Sequence, residues 1–497
     1  MKREDSQRLA LIGQLVEAKR DTYIELADRI WDLAETRWEE FRSVEAQIEI
    51  LEREGFRVTR NLAGLPTAFV AEAGDEGPVA GFLGEYDALS DMSQQGAAVE
   101  ACPVCAGGSG HGCGHHLLGV GAMLAAVATR DYLVSQGLPG IVQYFGCPAE
   151  EAGAGKTYMA REGVFNELNF ALTWHPGPFS GIFTYKSLAV IQAFFRFSGV
   201  ASHAAASPHL GRSALDAVEL MNVGANFLRE HMPAEARVHY AITDAGGLAA
   251  NVVQARAEVL YVVRAPDIEQ ARALFERVRR IGAGAALMTE TTVEVEVDRA
   301  CSEVLRNETI EALIMDNLER FGPPPFDQSD RDFVTRLAGN ISAVDLQECL
   351  DAYRGPADAR GLAETTLPLG ERPGSLTGSS DVGDVSWIVP TTQYLGACYA
   401  VGTNMHTWQL VSQGKLPAAH KGMLHAAKVL AATAVDLLTE PSSISAAQAE
   451  HARLTGGRPY VCPIPEAVLA PPLRKSKKDG IEKSCLPPNR TPCTHLS

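Results

Sequence analysis

Apolar positions in the first part of the chain change between helical spacing and short continuous runs. Residues 6–37 carry apolar side chains three and four positions apart, which predicts amphipathic helix, and a second helix is predicted over 44–54. Turn-bounded apolar runs predict strands at 56–59, 67–71, 79–83, 141–145 and 170–174, with helices at 117–133 and 155–161 between them. Strands that alternate with helices indicate an α/β domain with a mostly parallel sheet between helices.

The pattern changes from about residue 187, where longer strand-like segments flank two helical ones. Strands are predicted at 188–197, 237–243, 251–263 and 291–297, with helices at 213–230 and 267–287. This order predicts a smaller α+β domain inserted into the first one. A helix at 302–321, a strand at 391–399 and a helix at 418–438 then complete the α/β domain. The predicted organisation is 1–186 and 300–465 for the α/β domain, 187–299 for the insert and 466–497 for a disordered tail.

Composition excludes several classes of protein. The chain has 497 residues, 46% of them hydrophobic, which suffices for two domains with their own cores. The net charge of −17 argues against nucleic acid and anionic membranes as partners, because their phosphates attract basic surfaces. No secretory signal is recognised, and no apolar run reaches the roughly eighteen residues of a membrane-spanning helix. A cytoplasmic protein is therefore expected.

A thiol and three imidazoles are concentrated in residues 110–116, with the sequence GHGCGHH. The glycines permit a tight turn, and the apolar run that follows predicts a helix, so Cys113 and His115 are expected to approach one point. A helix N-terminus stabilises the thiolate, which is the form that binds metal. We therefore predict Cys113 and His115 as metal ligands. Cys102 and Cys105 are a competing zinc pair, provided that Cys113 and His115 join them.

Carboxylates and a further imidazole follow other predicted strands. Glu85 and Asp87 follow one strand, Glu150 and Glu151 a second, and His175 a third. Because ligands of open α/β sheets bind beyond the carboxyl ends of the strands, these side chains are expected to meet at one edge. Hydrolysis at a metal needs one carboxylate to hold the ion and another to take a proton from water. The pattern predicts a metal-dependent hydrolase.

Two questions stay open on residue spacing alone. The last histidine ligand could be His406, in a predicted loop, or His420 or His425, on the predicted closing helix. The chemistry also has a rival interpretation, a metal-free thiol hydrolase with Cys113 as nucleophile and His115 as base.

The order of these motifs resembles the dinuclear-metal aminoacylase and glutamate-carboxypeptidase family, in its cysteine-containing amidohydrolase branch. The resemblance covers roughly residues 8–465 and implies a zinc-exopeptidase-like catalytic domain interrupted by a lid and dimerisation domain. The matching segments are 85–89 (EYDAL), 110–119, 148–151 (PAEE), 174–177 (WHPG), 251–253 (NVV), 380–385 (SDVGDV) and 405–408 (MHTW).

The resemblance also implies a metal site. Cys113 would bridge two divalent ions, zinc or manganese, and His115, Glu151, His175 and His406 would complete their coordination. Such mixed sulfur, nitrogen and oxygen donors accept either metal.

Further residues would act around the metals. Glu150 would be the general base, and Asp87 would orient a ligand imidazole. His203 of the lid would reach the partner subunit's active site and steady the oxyanion, while Asn251 and Arg264 would hold the substrate's carboxylate.

The implied activity is hydrolysis of an aromatic N-acyl amino acid, with p-aminobenzoyl-glutamate as the expected substrate and other N-acyl amino acids or dipeptides as alternatives. A homodimer through the lid domain is expected; the alternative is a heterodimer with a related subunit, in which this chain is the catalytic or a non-catalytic partner. Two features depart from the family: Gln254 stands where a proline is usual, and residues 91–109 are longer than in most branches.

Overall fold

The computed structural model describes residues 2–182, 187–369 and 378–469. Within these ranges the chain forms two β-sheets with helices packed against them. The strands are β1 (Arg57–Arg60), β2 (Phe69–Ala73), β3 (Val79–Glu85), β4 (Ile141–Cys147), β5 (Phe170–Gly177), β6 (Gly181–Ile182), β7 (Ala189–Ser198), β8 (Arg237–Asp244), β9 (Arg256–Ala265), β10 (Thr292–Cys301) and β11 (Thr391–Ala397). The helices are α1 (Lys2–Glu17), α2 (Arg20–Leu33), α3 (Phe41–Arg53), α4 (His115–Gln136), α5 (Gly155–Arg161), α6 (Ala214–Leu228), α7 (Ile268–Met288), α8 (Glu308–Phe321), α9 (Gln328–Leu337), α10 (Ala343–Tyr353), α11 (Val382–Ser386), α12 (Trp408–Gln413), α13 (Pro417–Thr439) and α14 (Pro441–Thr455).

The larger sheet has the strand order β1-β2-β4-β3-β5-β11-β6. Its four central strands, β4, β3, β5 and β11, run parallel, and β1, β2 and β6 are antiparallel strands at its two ends. The carboxyl ends of the central strands therefore meet at one edge. This architecture confirms the predicted α/β fold with a mostly parallel sheet between helices.

Helices α4 and α13 pack against each other and against the sheet. Gly119 lets α4 approach β3, because a Cβ atom there would lie 2.4 Å from the Glu85 carbonyl oxygen. Both helices are long and apolar enough to cross a membrane by length and composition, but 83% and 89% of their apolar windows are buried inside the protein. A helix that is hydrophobic all round is expected in the core of a large domain.

The smaller sheet has the order β10-β7-β9-β8 and is antiparallel throughout. Helices α6 and α7 pack on each other and on this sheet. The pairing of β10 with β7 shifts register between Val297 and Arg299, which makes a β-bulge at Asp298. The sheet spans 189–301, and the proposed domain boundaries of 187–299 stay a prediction. Most of the predicted tail, residues 470–497, lies outside the described residues.

Several predicted elements differ from the structure at their ends. The strand predicted from residue 251 begins at Arg256, because the Asn251–Gln254 segment is a loop in which the Val253 N–H donates to the Ser202 carbonyl at 3.0 Å. The helix predicted from residue 302 begins at Glu308, where the side chain of Asn307 caps it. His175, which the sequence places after its strand, lies within β5. Helices α9, α10, α11, α12 and α14 are not predicted by the apolar pattern.

Candidate metal centre

The carboxyl edge of the larger sheet gathers the predicted ligands. Glu85 is the last residue of β3, Glu150 and Glu151 follow β4, and His175 lies near the end of β5. The loop before α4 adds Cys113, and the first residue of the helix adds His115.

The turn before α4 requires glycine. Gly114 caps the helix with φ of 79°, and a Cβ atom there would lie 2.4 Å from the Tyr399 hydroxyl and 2.7 Å from Pro176 Cγ. Beside this turn, the Gly112 carbonyl accepts a hydrogen bond from the His406 N–H at 2.7 Å. His406 itself has a φ of 60°, a conformation that non-glycine residues rarely adopt and that is common at functional sites. The two loops thus hold each other in place.

Two groups of potential ligands share the Cys113 thiol. One contains Cys113, His115 and His175, and the other contains Cys113, Glu151 and His406; within each group the ligand atoms lie within 4.8 Å of one another. Cys113 Sγ is 3.4 Å from His175 Nε2, and His406 Nε2 is 3.0 Å from Glu151 Oε1. The arrangement offers two adjacent positions for cations, with one sulfur between them.

His115 is oriented by a buried carboxylate. Its Nδ1 lies 2.9 Å from Asp87 Oδ1, and the other oxygen of Asp87 accepts the Glu151 N–H at 2.7 Å. His115 Nε2 is buried without a hydrogen bond to any described residue and has Glu85 Oε2 at 3.3 Å. A histidine that donates through one ring nitrogen to a carboxylate and directs the other inward is typical of metal sites. These residues fit a metal ligand at Nε2.

The electrostatics favour the metal-binding forms of the thiol and of one carboxylate. Burial and Glu151 raise the pKa of Cys113, but His175 and His115 outweigh them and lower it to about 6. Burial also opposes ionisation of Glu151, but the hydrogen bond with His406 and the charge of His115 bring its pKa down to about 2. The thiolate and the carboxylate are therefore both accessible at neutral pH.

Glu150 has the opposite behaviour. Burial, followed by the negative charges of Glu85 and Glu151, raises its pKa well above the usual range. A carboxylate with a raised pKa beside two ligand groups suits a proton acceptor. It lies in a cavity of about 180 Å³, whose lining residues are Glu85, Cys113, Glu150, Glu151, His175, Gly378, Ser379, Ser380, Gln393, Met405 and His406.

The loop that carries the glutamate pair is strained. Ala149, Ala152 and Ala154 have φ angles of 57°, 65° and 60°, all in the left-handed region. Glu40 helps to hold this loop, because its Oε1 accepts the N–H groups of Trp38 and Ala149, each at 3.0 Å. Burial and the neighbouring Asp87 raise the pKa of Glu40 to about 8. No local pattern in the sequence marks Glu40 as a neighbour of this loop.

A buried lysine is also absent from the sequence-based predictions. Lys156, on α5, has no exposed surface, and its Nζ lies 2.7 Å from Glu85 Oε1 and 2.6 Å from Asp381 Oδ1. Asp381 also accepts the Lys156 N–H at 2.8 Å. The ammonium group neutralises two carboxylates directly behind the cavity, so Glu85 is held as an ion-pair partner. The SDVGDV motif supplies Asp381, but the motif alone does not reveal its buried partner.

Comparison with known proteins identifies the family. No protein-family model matches the sequence. A protein of Escherichia coli (strain K12), one of the subunits of p-aminobenzoyl-glutamate hydrolase, is 48% identical over 474 residues, which are 93% of this chain and 98% of the relative. The chain belongs to the p-aminobenzoyl-glutamate hydrolase family of amidohydrolases.

Solved structures agree with this family in their fold. Aminobenzoyl-glutamate utilization protein from Klebsiella pneumoniae matches with a TM-score of 0.57 at 18% identity, over 85% of this chain and 97% of that one. A dinuclear metal binding peptidase of the M20 family from Bacillus subtilis matches with a TM-score of 0.52 at 18% identity, over 84% of this chain and 99% of that one. The predicted family, enzyme class and fold are confirmed.

Not every predicted residue of this amidohydrolase lies at the cavity. His203 and Asn251 are exposed and lie together: the Ala204 N–H donates to the Asn251 carbonyl at 3.0 Å, and His203 Nδ1 accepts N–H groups from the two residues after Ala204. Neither lines the cavity. Arg264 does reach its rim, because its Nη1 donates to Ser379 Oγ at 3.1 Å.

The competing ligands are engaged elsewhere. His420 Nε2 contacts Asp28 Oδ1 at 2.8 Å, and His425 Nε2 contacts the Gly322 carbonyl at 2.7 Å. Cys102 Sγ lies 3.4 Å from Gln95 Oε1. Among the described residues, none of these three side chains belongs to a group that could hold a metal ion. The geometry therefore favours His406 as the last histidine of the centre.

Proposed function

We propose that the chain is a two-metal amidohydrolase that cleaves p-aminobenzoyl-glutamate to p-aminobenzoate and glutamate. The observation that carries the proposal is the pair of ligand groups that share Cys113, with Glu150 beside them in the same cavity. The relative that is 48% identical bears the name of this activity, which supports the substrate.

The two ions would be held by Cys113, His115, Glu151, His175 and His406. The donor set accepts zinc or manganese. When bound, such ions lower the pKa of water and polarise the carbonyl of the amide. The buried His115 Nε2, which has no hydrogen-bond partner among the described residues, supports this assignment.

Side chains of the protein would transfer the protons, bind the substrate and stabilise the oxyanion. Glu150 takes a proton from the attacking water and returns it to the leaving nitrogen, and its raised pKa makes its carboxylate a stronger base than that of an ordinary glutamate. Arg264 of the same chain and Asn251 of the partner subunit hold the α-carboxylate of the substrate. The partner subunit's His203 donates to the oxyanion of the tetrahedral intermediate.

The proposed activity requires an assembly. His203 and Asn251 lie in exposed loops beside the smaller sheet, so a second chain docked through this domain would be needed to receive them. We infer a homodimer. Because the relative is named as one of the subunits of its hydrolase, a heterodimer with a related chain is the second candidate. A cytoplasmic location is part of the same proposal.

The direct test is hydrolysis of a panel of p-aminobenzoyl-amino acids, followed by detection of free p-aminobenzoate. We expect release from the glutamate compound, loss of activity after chelation and recovery when Zn²⁺ or Mn²⁺ is added. Activity that survives complete chelation would favour the thiol nucleophile instead. A chain without activity alone that becomes active with a related partner chain would favour the heterodimer.

A further inference from the structure

Arg299 lies beside the cavity, and no carboxylate of the described residues is within ion-pair distance of its guanidinium group. Its Nη1 donates to the Glu150 carbonyl at 3.4 Å, and its Nε is buried without an acceptor in the described part of the chain. The neighbouring carboxylate of Asp298 is already bound by the Gln192 amide at 2.6 Å and has Arg37 at 3.5 Å. Arg299 thus brings a positive charge to the site that these groups do not balance.

Arg299 projects from the same sheet face as Arg264. Arg264 pairs with Val190 across β9 and β7, and Arg299 pairs with Gln192 across β10 and β7. Paired residues share a face, and so do residues two apart on one strand, so the two arginines lie on either side of β7. The bulge at Asp298 is the kind of irregularity that redirects side chains next to active sites.

The two cations affect each other. Burial and then the charge of Arg299 lower the pKa of the Arg264 guanidinium. Another arginine on the same face, Arg196, has carboxylate partners: it is ion-paired with Glu258 at 2.7 Å and also with Glu296. The positive charge of Arg196 is therefore balanced within the sheet, whereas no carboxylate of the described residues pairs with Arg299.

We propose that Arg299 is a specificity-determining residue, which binds the side-chain carboxylate of an acidic N-acyl amino acid while Arg264 binds its α-carboxylate. The inference rests on the proposed function and adds the residue that selects an acidic leaving group. An N-acyl amino acid with an uncharged side chain has only its α-carboxylate, so it could bind only one of the two guanidinium groups. A dicarboxylate binds both, in the planar geometry that arginine prefers.

The test compares p-aminobenzoyl-glutamate with p-aminobenzoyl-glutamine, which has the same shape but one charge fewer. The wild-type protein should prefer the glutamate compound. In Arg299→Met, kcat/KM for that compound should fall on the order of tenfold to a hundredfold, mainly through KM, because a charge-assisted pair is lost. The value for the glutamine compound should change by no more than about twofold. Arg196→Met, the matched control, should keep the preference.

Equal losses for both compounds, or an unchanged preference, would overturn the role of Arg299. If Arg299→Met does not fold, Arg299→Lys should retain part of the preference and Arg299→Gln should lose it. A second measurement is independent of turnover: calorimetry of the metal-free protein with glutarate and butyrate. Tighter binding of glutarate should disappear in the Arg299 variants. If the wild-type protein cleaves neither compound, the proposed activity fails, and the glutarate titration still decides the role of Arg299.

Discussion

At the edge of the larger sheet, Cys113 and His175 are buried and lie 3.4 Å apart, whereas His203 and Asn251, in loops of the smaller sheet, are exposed to solvent. The first group is fixed by strand ends, a glycine turn and a buried carboxylate. The second group is held by hydrogen bonds within its own loops. The proposed metal ligands therefore lie together within one chain, whereas the proposed roles of His203 and Asn251 would need a second chain.

The largest loss of activity is expected from a substitution at the edge of the larger sheet. Glu150→Gln should lower kcat by roughly a thousandfold, because general acid–base catalysis contributes on that order. Its metal content should stay at the wild-type level, since Glu150 is proposed as a base. Steady-state kinetics and elemental analysis of the same preparation measure both quantities.

Glu151→Gln is the matched control for this prediction. This variant should lose metal as well as activity, because the substitution removes a proposed ligand from the group of Cys113, Glu151 and His406. If Glu150→Gln lost metal and Glu151→Gln kept it, the two adjacent glutamates would have exchanged roles.

The next largest loss of activity is expected from a variant that tests whether catalysis needs His203 of a second chain. His203→Ala should lower kcat about a hundredfold or more, the usual cost of losing one donor to an oxyanion. A heterodimer of a Glu150→Gln chain and a His203→Ala chain, purified with two different tags, should regain about half of the wild-type activity, because one of its two sites is complete.

The same heterodimer shows whether His203 acts in the partner's site or in the site of its own chain. If His203 acted within its own chain, both sites would lack one group and the mixture would stay inactive. That result would show that the exposed loops of the smaller sheet move to the cavity of the same chain.

A smaller effect concerns the support behind the cavity. Lys156→Met should lower the free energy of unfolding by about 3–5 kcal/mol, because it leaves the Glu85 and Asp381 carboxylates buried without their cation. Lys415→Met, which breaks the partly exposed pair with Asp32, should cost about 1 kcal/mol or less. Denaturant unfolding of the metal-free proteins gives both values. Equal costs would mean that the buried pair adds no more than a surface pair.

The last prediction concerns the pH dependence of stability. Glu40 has a pKa of about 8 in the folded protein, above its ordinary 4.5, so it is protonated when folded and ionised when unfolded between these values. Its contribution to stability is therefore full below about pH 4.5 and is lost as pH rises towards about 8. Glu40→Gln should flatten this decline in urea unfolding, and its exposed neighbour Glu39→Gln should not. A decline of equal slope in Glu40→Gln would contradict the raised pKa.

Much of the larger sheet's edge could be predicted from the sequence. Polar residues directly after apolar runs mark strand ends, and the glycines around Cys113 mark a tight turn, so local pattern alone placed Glu151 and Cys113 together. The resemblance then favoured His406, which spacing could not separate from His420 and His425.

The remaining contacts could not be predicted because they depend on tertiary packing. Lys156 and Asp381 are 225 positions apart in the chain, and nothing local shows that they form a buried pair. Arg299 is one of several arginines in the smaller sheet, and only the register of β10 against β7 places it near Glu150. The exposure of His203 likewise follows from the loop in which it lies.

The most direct test of the metal centre is the number and position of ions bound after reconstitution with zinc or manganese. Elemental analysis should give two ions per chain, and anomalous scattering should place both beside Cys113, with Cys113→Ser losing at least one. A single ion, or ions bound away from Cys113 and His175, would contradict a two-metal site at this edge.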